Sequence, residues 1–376
     1  MEVEGYIDRS FELLKERFAN NFADFAELGA SVALSIGGEL KADLYAGYLD
    51  LDRTVKWNRH TIVNVFSTTK TMNFIVMLLL YDQNALDFDD RVSKYWPEFI
   101  KNGKSEVTIL NVLNHTAGLP GFTQKVSASD LYDFEKVVSI IENESLWFKP
   151  GSQLCYHALS QGYILGEVVR RITGKSIGQV LEEEFSSKLN ADFFIGVPVS
   201  ELSRVSALVD PPPRENKFSS KSLPGRIFSN PILNAKLADS DEFKLCEIPS
   251  ANGHGNARSL VELQGIIANY GYLNGKRFLK ESTVEKILEL KVSGFDEVLE
   301  RNVTFGMGYG LDIDKSEIPN VDRKCFWGGF GGSIVYVDFD LSLCFGYAMN
   351  KMGPSLIADE RVGGMIRAIY EVVENG

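Results

Sequence analysis

The two ends of the chain carry strand patterns beside helical ones, whereas the middle of the chain shows mainly helical patterns. Apolar residues recur at helical spacing from Val3 to Phe25, and two short β-type runs then flank Gly37-Gly38, a pair suited to a tight hairpin turn. Near the C-terminus, the segments FGMGYGLDID, SIVYVDF and LSLCFGYAMN predict three strands, and Ala358 to Val373 predicts an amphipathic helix. We therefore expect both ends to share one antiparallel sheet covered by helices.

The middle of the chain, from Ser67 to about Arg258, shows helical periods separated by long loops. One loop is rich in proline and serine, and the segment around Pro211 to Pro231 is expected to roof a pocket. The predicted fold is thus of the α/β (α+β) class, an antiparallel sheet flanked by helices plus an inserted, mainly helical lobe. Residues 1–62 and 259–376 are expected to form the sheet lobe and residues 63–258 the inserted lobe, with the active site between them.

The net charge and the lengths of the apolar runs indicate which kinds of partner this protein does not bind. The chain of 376 residues carries 51 acidic and 39 basic side chains, a formal net charge of −12 that repels phosphate backbones and anionic lipid heads. The longest apolar run, Phe74 to Tyr81, is too short to cross a bilayer, and the acidic N-terminus lacks the pattern of a signal peptide. We expect a cytoplasmic protein that binds neither nucleic acid nor membranes, and the oligomeric state stays open.

The four cysteines are scattered along the chain and form no close-spaced metal pair. In a chain of this size they are expected to be reduced thiols, although the sequence leaves one disulfide open. Neither a metal nor an organic cofactor is implied. The four residues are Cys155, Cys246, Cys325 and Cys344.

Ser67 and Lys70 stand three residues apart at the start of a strongly apolar segment. In a helix this spacing places both side chains on one face. The structural explanation is an N-cap serine followed by a solvated lysine, and chance alone produces one or two S-x-x-K motifs in such a chain. However, a lysine in the first turn opposes the helix dipole, and burial would lower its pKa and make it a base. This pair is therefore a candidate nucleophile and general base.

Two further segments are weaker candidates by themselves. Tyr156 follows the turn at Pro150-Gly151 and precedes an apolar helical run, where most tyrosines belong to the core. Its functional interpretation is a phenol that relays a proton. Trp327-Gly328-Gly329 leads into a probable strand, where paired glycines indicate either a bulge or the close approach of a ligand.

Taken in order, these segments resemble the serine β-lactamase and penicillin-binding protein superfamily, in its class C-like branch. The segment LNVLNHTAGLPGF, from Leu110 to Phe122, and the segment NGHGNARSLVELQGIIANYG strengthen the resemblance, which covers nearly the whole chain. It implies that Ser67 is the acylated nucleophile, Lys70 the general base and Tyr156 the tyrosine of the Y-x-N motif. It also implies an oxyanion hole formed by the backbone N–H groups of Ser67 and Phe330.

The remaining site residues are implied in the same way. Substrate contacts are expected from Trp327, Gly328, Gly329 and His157, which adjoin the matched motifs. His115 and His254 are expected to support the site, and His254, in a glycine-rich turn, could line it.

Two departures from the superfamily pattern bear on the substrate. Trp327 replaces the cationic or polar residue that usually begins the third motif and holds a substrate carboxylate. Ala158 replaces the asparagine of the Y-x-N motif, which usually contacts a substrate amide. A W-G-G sequence in this place resembles the family VIII carboxylesterases, so both changes favour esters over β-lactams and peptides.

The expected function is hydrolysis of carboxylic esters of short to medium acyl chains through an acyl-enzyme on Ser67. An acyltransferase of a biosynthetic pathway, and a β-lactamase or D-Ala-D-Ala peptidase-like hydrolase, are the alternatives within the superfamily. A non-catalytic scaffold is the alternative from another class, and the presence of all three reactive side chains argues against it.

Overall fold

The computed structural model describes residues 1–212 and 218–375. Fourteen strands occur in this part of the chain: β1 (Glu4–Ile7), β2 (Gly29–Ile36), β3 (Glu39–Gly47), β4 (Val63–Asn64), β5 (Phe194–Ile195), β6 (Gly253–Gly255), β7 (Tyr272–Leu273), β8 (Lys276–Arg277), β9 (Lys291–Asp296), β10 (Arg301–Gly306), β11 (Tyr309–Ile313), β12 (Lys324–Gly328), β13 (Ile334–Asp338) and β14 (Leu343–Met349).

The α-helices of the same ranges vary widely in length, from one turn to more than four. They are α1 (Glu12–Asp24), α2 (Lys70–Asp82), α3 (Val92–Tyr95), α4 (Ile109–Leu113), α5 (Ala128–Leu131), α6 (Phe134–Asn143), α7 (Ser160–Thr173), α8 (Ile177–Leu181), α9 (Ser187–Leu189), α10 (Leu223–Phe228), α11 (Ala235–Ala238), α12 (Asp241–Leu245), α13 (Ala257–Ala268), α14 (Glu281–Glu289) and α15 (Glu360–Asn375). In the described ranges, no helix is long and apolar enough to cross a membrane.

A nine-stranded antiparallel sheet joins the two ends of the chain, in the order β1-β3-β2-β14-β13-β12-β11-β10-β9. Neighbouring residues of β14 face opposite sides of the sheet. Gly346 lies against the backbone of α13, whereas Tyr347 contacts Arg361 of α15. The sheet is therefore covered by α13 on one face and by α15, with α1 packed on it, on the other. This arrangement confirms the predicted sheet flanked by helices.

A second, three-stranded sheet in the order β4-β6-β5 leads directly into the site. Strand β4 ends three residues before Ser67. In helix α2, which follows, nearly every side chain is buried. Helix α2 packs against α7, α8, α13 and α14. Because α2 is enclosed on all sides, its N-terminal turn is fixed relative to the large sheet. We propose that residues 1–62 and 259–376 form the sheet lobe and that residues 63–258 form the inserted lobe.

Three details of the sequence prediction are corrected. Glu4–Ile7 form strand β1 rather than the first turn of a helix, because their backbone groups pair with the edge strand β3. The segment FGMGYGLDID is a hairpin of β10 and β11 that turns at Met307 and Gly308, both at positive φ, rather than one strand. The sequence prediction lacked strand β12, which ends at Trp327 and Gly328 before the chain reaches the predicted strand, β13. Pro213 of the triple proline lies outside the described residues.

Candidate active site

Ser67 begins a single 3-10 turn, Ser67–Thr69, that continues into α2. The preceding residue, Phe66, has φ 43° and ψ −127°, a conformation that non-glycine residues rarely adopt and that costs free energy. Thr69 holds this turn, since its hydroxyl donates to Phe66 O and accepts the Gly253 N–H at 2.8 Å. The strained residue thus presents Ser67 at the wall of a cavity.

Lys70 lies fully buried behind Ser67. Its Nζ is 3.1 Å from Ser67 Oγ, 2.8 Å from Ala158 O and 3.0 Å from Ser250 O. Burial lowers the pKa of Lys70 well below its ordinary value, and no carboxylate among the causes opposes this shift. A neutral amine has two N–H groups, which the two carbonyls accept, and one lone pair, which then faces the Ser67 hydroxyl. The site therefore holds a base in position to take the serine proton.

Tyr156 lies beside this pair, with the Lys70 Nζ 5.0 Å from the centroid of its ring. Burial raises the pKa of Tyr156 well above its ordinary value, against smaller opposing effects of hydrogen bonds with Ser67 and Trp327. The tyrosine is therefore a phenol, a proton donor, at neutral pH. It precedes α7 in a loop rather than standing in the helix.

Trp327 contributes a hydrogen bond that the sequence prediction lacked. Its indole Nε1–H donates to Tyr156 Oη at 3.3 Å, and the two ring centroids are 5.4 Å apart. The indole also fixes the orientation of the phenol, because it occupies one acceptor site of Oη and leaves the phenolic proton to point elsewhere.

Two backbone N–H groups are available to a developing oxyanion. In the described chain, neither the Ser67 N–H nor the Phe330 N–H donates to any backbone or side-chain acceptor. Their neighbours are occupied: the Gly329 N–H donates to Ser333 O and the Gly331 N–H to Ser355 O. Free donors at a cavity wall are the feature that stabilises a tetrahedral oxyanion.

The cavity in front of Ser67, which we call the main cavity, has a volume of about 620 Å³. Among the described residues that line it, Asp210 alone is charged, and its carboxylate accepts the Ala235 N–H at 2.7 Å. The apolar lining consists mainly of Phe66, Leu159, Pro211, Pro212, Phe218, Ile227, Phe228, Pro231, Ile232, Leu233, Leu299, Trp327, Phe330, Leu356 and Ile357. Many of these residues come from 211–233, where the sequence predicted a roof.

Four of the predicted site residues line the main cavity: Ser67, Tyr156, Trp327 and Phe330. Gly328 and Gly329 do not, because each packs against backbone, where an added Cβ would lie 2.0 Å from the carbonyl oxygen of Ile357 or Val65. Their glycine identity is required by chain packing.

His157 is also absent from the cavity wall, contrary to its predicted role as a substrate contact. Its Nε2 accepts the Leu119 N–H at 3.1 Å and its Nδ1 contacts Cys155 O, so both ring nitrogens are occupied by backbone groups. Burial lowers the pKa of His157 to about 4, which keeps the ring neutral. We correct the prediction: His157 holds the loop that carries Tyr156.

His115 and His254 are buried and lie outside the cavity lining. The His115 ring centroid is 4.7 Å from that of Tyr156, and its Nδ1 accepts the His157 N–H at 3.1 Å. His254 contacts Asn252 O through Nδ1. His115 thus supports Tyr156 from behind, whereas His254 does not line the cavity.

The described ranges contain neither a metal-binding cluster nor a disulfide. No three His, Cys, Asp or Glu side chains there are grouped closely enough to hold a metal ion. All four cysteines are free thiols.

The fold and the site together define a serine hydrolase of the β-lactamase fold. The chain belongs to the β-lactamase family, whose model matches residues 18–363. This confirms the resemblance inferred from the S-x-x-K, Tyr156 and W-G-G segments.

Individual relatives agree with this assignment. The chain is 28% identical to the esterase/beta-lactamase LipL of Mycobacterium tuberculosis, with 99% of this chain and 88% of that protein covered. A crystal structure of a family VIII carboxylesterase superposes with a TM-score of 0.93 at 33% identity, covering 99% of this chain and 100% of that one. A penicillin-binding protein homologue from Caulobacter crescentus superposes with a TM-score of 0.91 at 31% identity, with the same coverage.

Proposed function

We propose that this protein is a carboxylesterase that hydrolyses uncharged esters of short to medium acyl chains through an acyl-enzyme on Ser67. The observation that carries the proposal is the environment of Lys70, a buried amine whose two N–H groups are held by carbonyls and whose lone pair faces Ser67. The names of the similar proteins, an esterase/beta-lactamase and a family VIII carboxylesterase, support the ester class.

In the proposed acylation step, Lys70 accepts the Ser67 proton while Oγ forms a bond to the ester carbonyl carbon. The carbonyl oxygen becomes an oxyanion between the N–H groups of Ser67 and Phe330. The bond from carbon to the alcohol oxygen then breaks, and the Tyr156 phenol, reprotonated from Lys70, supplies the proton with which the alcohol leaves. The product of this step is an acyl ester of Ser67 with Lys70 neutral again.

Deacylation reverses these roles. A water molecule in the space left by the alcohol gives its proton through Tyr156 to Lys70 and forms a bond to the carbonyl carbon. The oxyanion collapses, the bond to Oγ breaks, and Ser67 recovers a proton from Lys70. The carboxylic acid is released and the enzyme returns to its starting state.

The lining of the main cavity supports uncharged substrates. β-Lactams and peptidoglycan stem peptides carry a carboxylate, and burying it without a cationic or hydrogen-bonding partner is costly. No lysine or arginine is among the described residues that line this cavity. A volume of about 620 Å³ accommodates a medium acyl chain together with an alcohol group.

The test is hydrolysis of p-nitrophenyl acetate, butyrate and octanoate beside a chromogenic cephalosporin, with the wild type, Ser67→Ala and Ser229→Ala. Ser229 lines the same cavity and serves as the matched control. We expect the wild type and Ser229→Ala to cleave the esters and to react with a fluorophosphonate probe. Ser67→Ala should lose about 10⁴-fold or more of kcat and should not react with the probe.

The same assay separates the alternatives. Faster turnover of the cephalosporin than of any ester would contradict the proposal in favour of a β-lactamase. Formation of butyl butyrate in preference to butyrate, when 1-butanol is added, would assign the enzyme to acyl transfer. Full activity in Ser67→Ala would remove Ser67 as the nucleophile.

A further inference from the structure

The two carbonyl groups that hold the Lys70 amine come from distant segments of the chain. Ala158 O, 2.8 Å from Nζ, belongs to the loop before α7, and Ser250 O, 3.0 Å from Nζ, belongs to the turn before β6. Because the amine N–H groups point at these carbonyls, the direction of the Lys70 lone pair depends on how the two segments are fixed relative to each other.

The side chain of Ser250 joins the two segments. Ser250 is fully buried, its Oγ–H donates to Leu159 O at 3.0 Å, and the same Oγ accepts the Gly162 N–H at 2.8 Å. Leu159 directly follows Ala158, and Gly162 lies in the first turn of α7. The hydroxyl of Ser250 therefore binds the segment that carries the first carbonyl, while the backbone of Ser250 carries the second.

Close packing on both sides fixes the turn that carries Ser250. An added Cβ at Gly162 would lie 2.4 Å from Ser250 N and 2.6 Å from Ser250 Oγ, so only glycine permits this approach. On the other side, Asn73 of α2, one helical turn after Lys70, donates from Nδ2 to Pro249 O at 2.7 Å. The turn is thus attached both to the helix of the base and to the start of α7.

We propose, on the basis of the role of Lys70 in the proposed function, that Ser250 is a positioning residue for the general base. By holding Ala158 O and Ser250 O at a fixed separation, its hydroxyl orients the Lys70 lone pair toward Ser67 Oγ, 3.1 Å away. Removal of the hydroxyl takes this acceptor from the Gly162 N–H, at the start of the helix, and allows the two segments to move apart. Ser250 is not among the described residues that line the main cavity, so it acts through Lys70 and not on the substrate.

The kinetic consequence follows from the part that Lys70 plays in both half-reactions. The amine takes a proton during acylation and again during deacylation, so a misplaced amine should lower kcat and leave KM little changed. A misplacement of about 1 Å can cost about 10²-fold in rate.

Ser250→Ala tests the proposal, with Ser206→Ala as the matched control. Ser206 is also buried and lies outside the cavity lining; its Oγ–H donates to Leu49 O at 2.9 Å, and its Oγ accepts an N–H of Asn350 at 2.9 Å. Titration with a fluorophosphonate to completion counts the active sites, and kcat for p-nitrophenyl butyrate is then expressed per active site. We expect Ser250→Ala to lose about tenfold or more of kcat per site with KM within about twofold, and Ser206→Ala to keep both.

A merely structural role of Ser250 would give a different result. It would lower the number of active sites and leave the turnover of the remaining sites at the wild-type value, which would overturn the proposal. An equal loss of kcat per site in Ser250→Ala and Ser206→Ala would also overturn it.

Gly162→Ala alters the same contact from the other side. It keeps the Ser250 hydroxyl but forces the two backbones apart, so kcat per active site should again fall with KM little changed. A circular dichroism melt shows that each variant is folded. Wild-type turnover per site in folded Gly162→Ala would contradict the proposal, even where Ser250→Ala does not fold.

The initial rate of fluorophosphonate labelling separates this proposal from the proposed function, because labelling of Ser67 requires the base but no ester. If the wild type cleaves no ester, the proposed function fails. Labelling of Ser250→Ala that is slower than that of Ser206→Ala by about tenfold or more would still support the positioning role. Equal labelling rates would overturn it.

Discussion

Two buried basic side chains of this protein have opposite surroundings. Lys70 is fully buried, and its Nζ meets a serine hydroxyl and two backbone carbonyls. Arg361 on α15 is 5% exposed, and its guanidinium donates to Glu27 at 3.0 Å and to Asp359 at 2.7 Å. Lys70 is buried without a counter-charge, whereas Arg361 is buried with two.

The difference shows that neighbouring charges, and not burial itself, separate a reactive buried group from a structural one. Burial lowers the pKa of Lys70, because its neighbours are neutral and cannot compensate for lost hydration. Burial also opposes the charge of Arg361, but the neighbouring oxygens of Tyr347, Glu27 and Asp359 outweigh it and raise the pKa. Lys70 thus becomes a base, and Arg361 remains an ion that joins α15 to the rest of the molecule.

Replacing Lys70 should produce the largest effect, and on activity alone. Lys70→Met removes the amine but fills the same space, so ester hydrolysis should fall by about 10²–10⁴-fold in kcat. The free energy of unfolding should change little, since no counter-ion is left without a partner and the loss of the hydrogen bonds to Ala158 O and Ser250 O offsets the gain from removing a buried amine. Steady-state kinetics and urea denaturation measure the two quantities. A variant with normal kcat would refute the role of Lys70 as base.

Replacing Arg361 should reverse this pattern. Arg361→Met leaves Glu27 buried without its cation and should lower the free energy of unfolding by about 3–5 kcal/mol. The guanidinium also donates to Gly331 O, next to Phe330, and this contact would be lost with it. Urea denaturation beside Lys70→Met provides the comparison. Equal destabilisation by the two substitutions would contradict the difference between a buried neutral amine at Lys70 and a buried ion pair at Arg361.

The pH dependence of hydrolysis follows from the lowered pKa of Lys70. Only the neutral amine accepts the Ser67 proton, so kcat/KM should fall about tenfold per pH unit below that pKa and level off above it. Unfolding restores the ordinary pKa, so the folded state binds fewer protons and this contribution to stability increases as pH rises between the two values. Lys70→Arg, which stays charged, should show no such activity at any pH tested.

The smallest effect on activity should come from replacing Trp327, whose uncharged indole N–H donates to Tyr156. Trp327→Phe keeps the apolar wall but removes the N–H that donates to Tyr156, so kcat should fall by about two- to tenfold with KM little changed. Stopped assays over several ester chain lengths measure both parameters. A large rise in KM with constant kcat would show instead that the indole acts only as a surface for the substrate.

The success of the sequence prediction differed between residues for a physical reason. Ser67 and Lys70 meet because they lie one helical turn apart, a distance that local geometry fixes. His157 was misplaced although it adjoins Tyr156, because consecutive residues of a loop point in different directions and the loop path depends on Leu119 and Cys155. The hydrogen bond from Trp327 to Tyr156 joins side chains 171 residues apart, and no local pattern indicates it.

The start of the chain shows the same limit. Apolar residues at helical spacing extend back to Val3, yet Glu4–Ile7 form a strand because the edge of the sheet offers free backbone groups. The spacing of apolar residues predicts which side chains are buried, but it does not predict which strand the backbone pairs with.

By itself, the sequence determined the family, the sheet with its covering helices and the proposed nucleophile and base, since these depend on local spacing and on the order of motifs. Only the tertiary structure decided which groups surround Lys70. The carbonyls of Ala158 and Ser250 accept hydrogen bonds from its amine. These two residues follow Lys70 in the chain by 88 and 180 positions. Every residue has such a carbonyl, so no side-chain pattern distinguishes these two, and the fold alone aims them at one nitrogen.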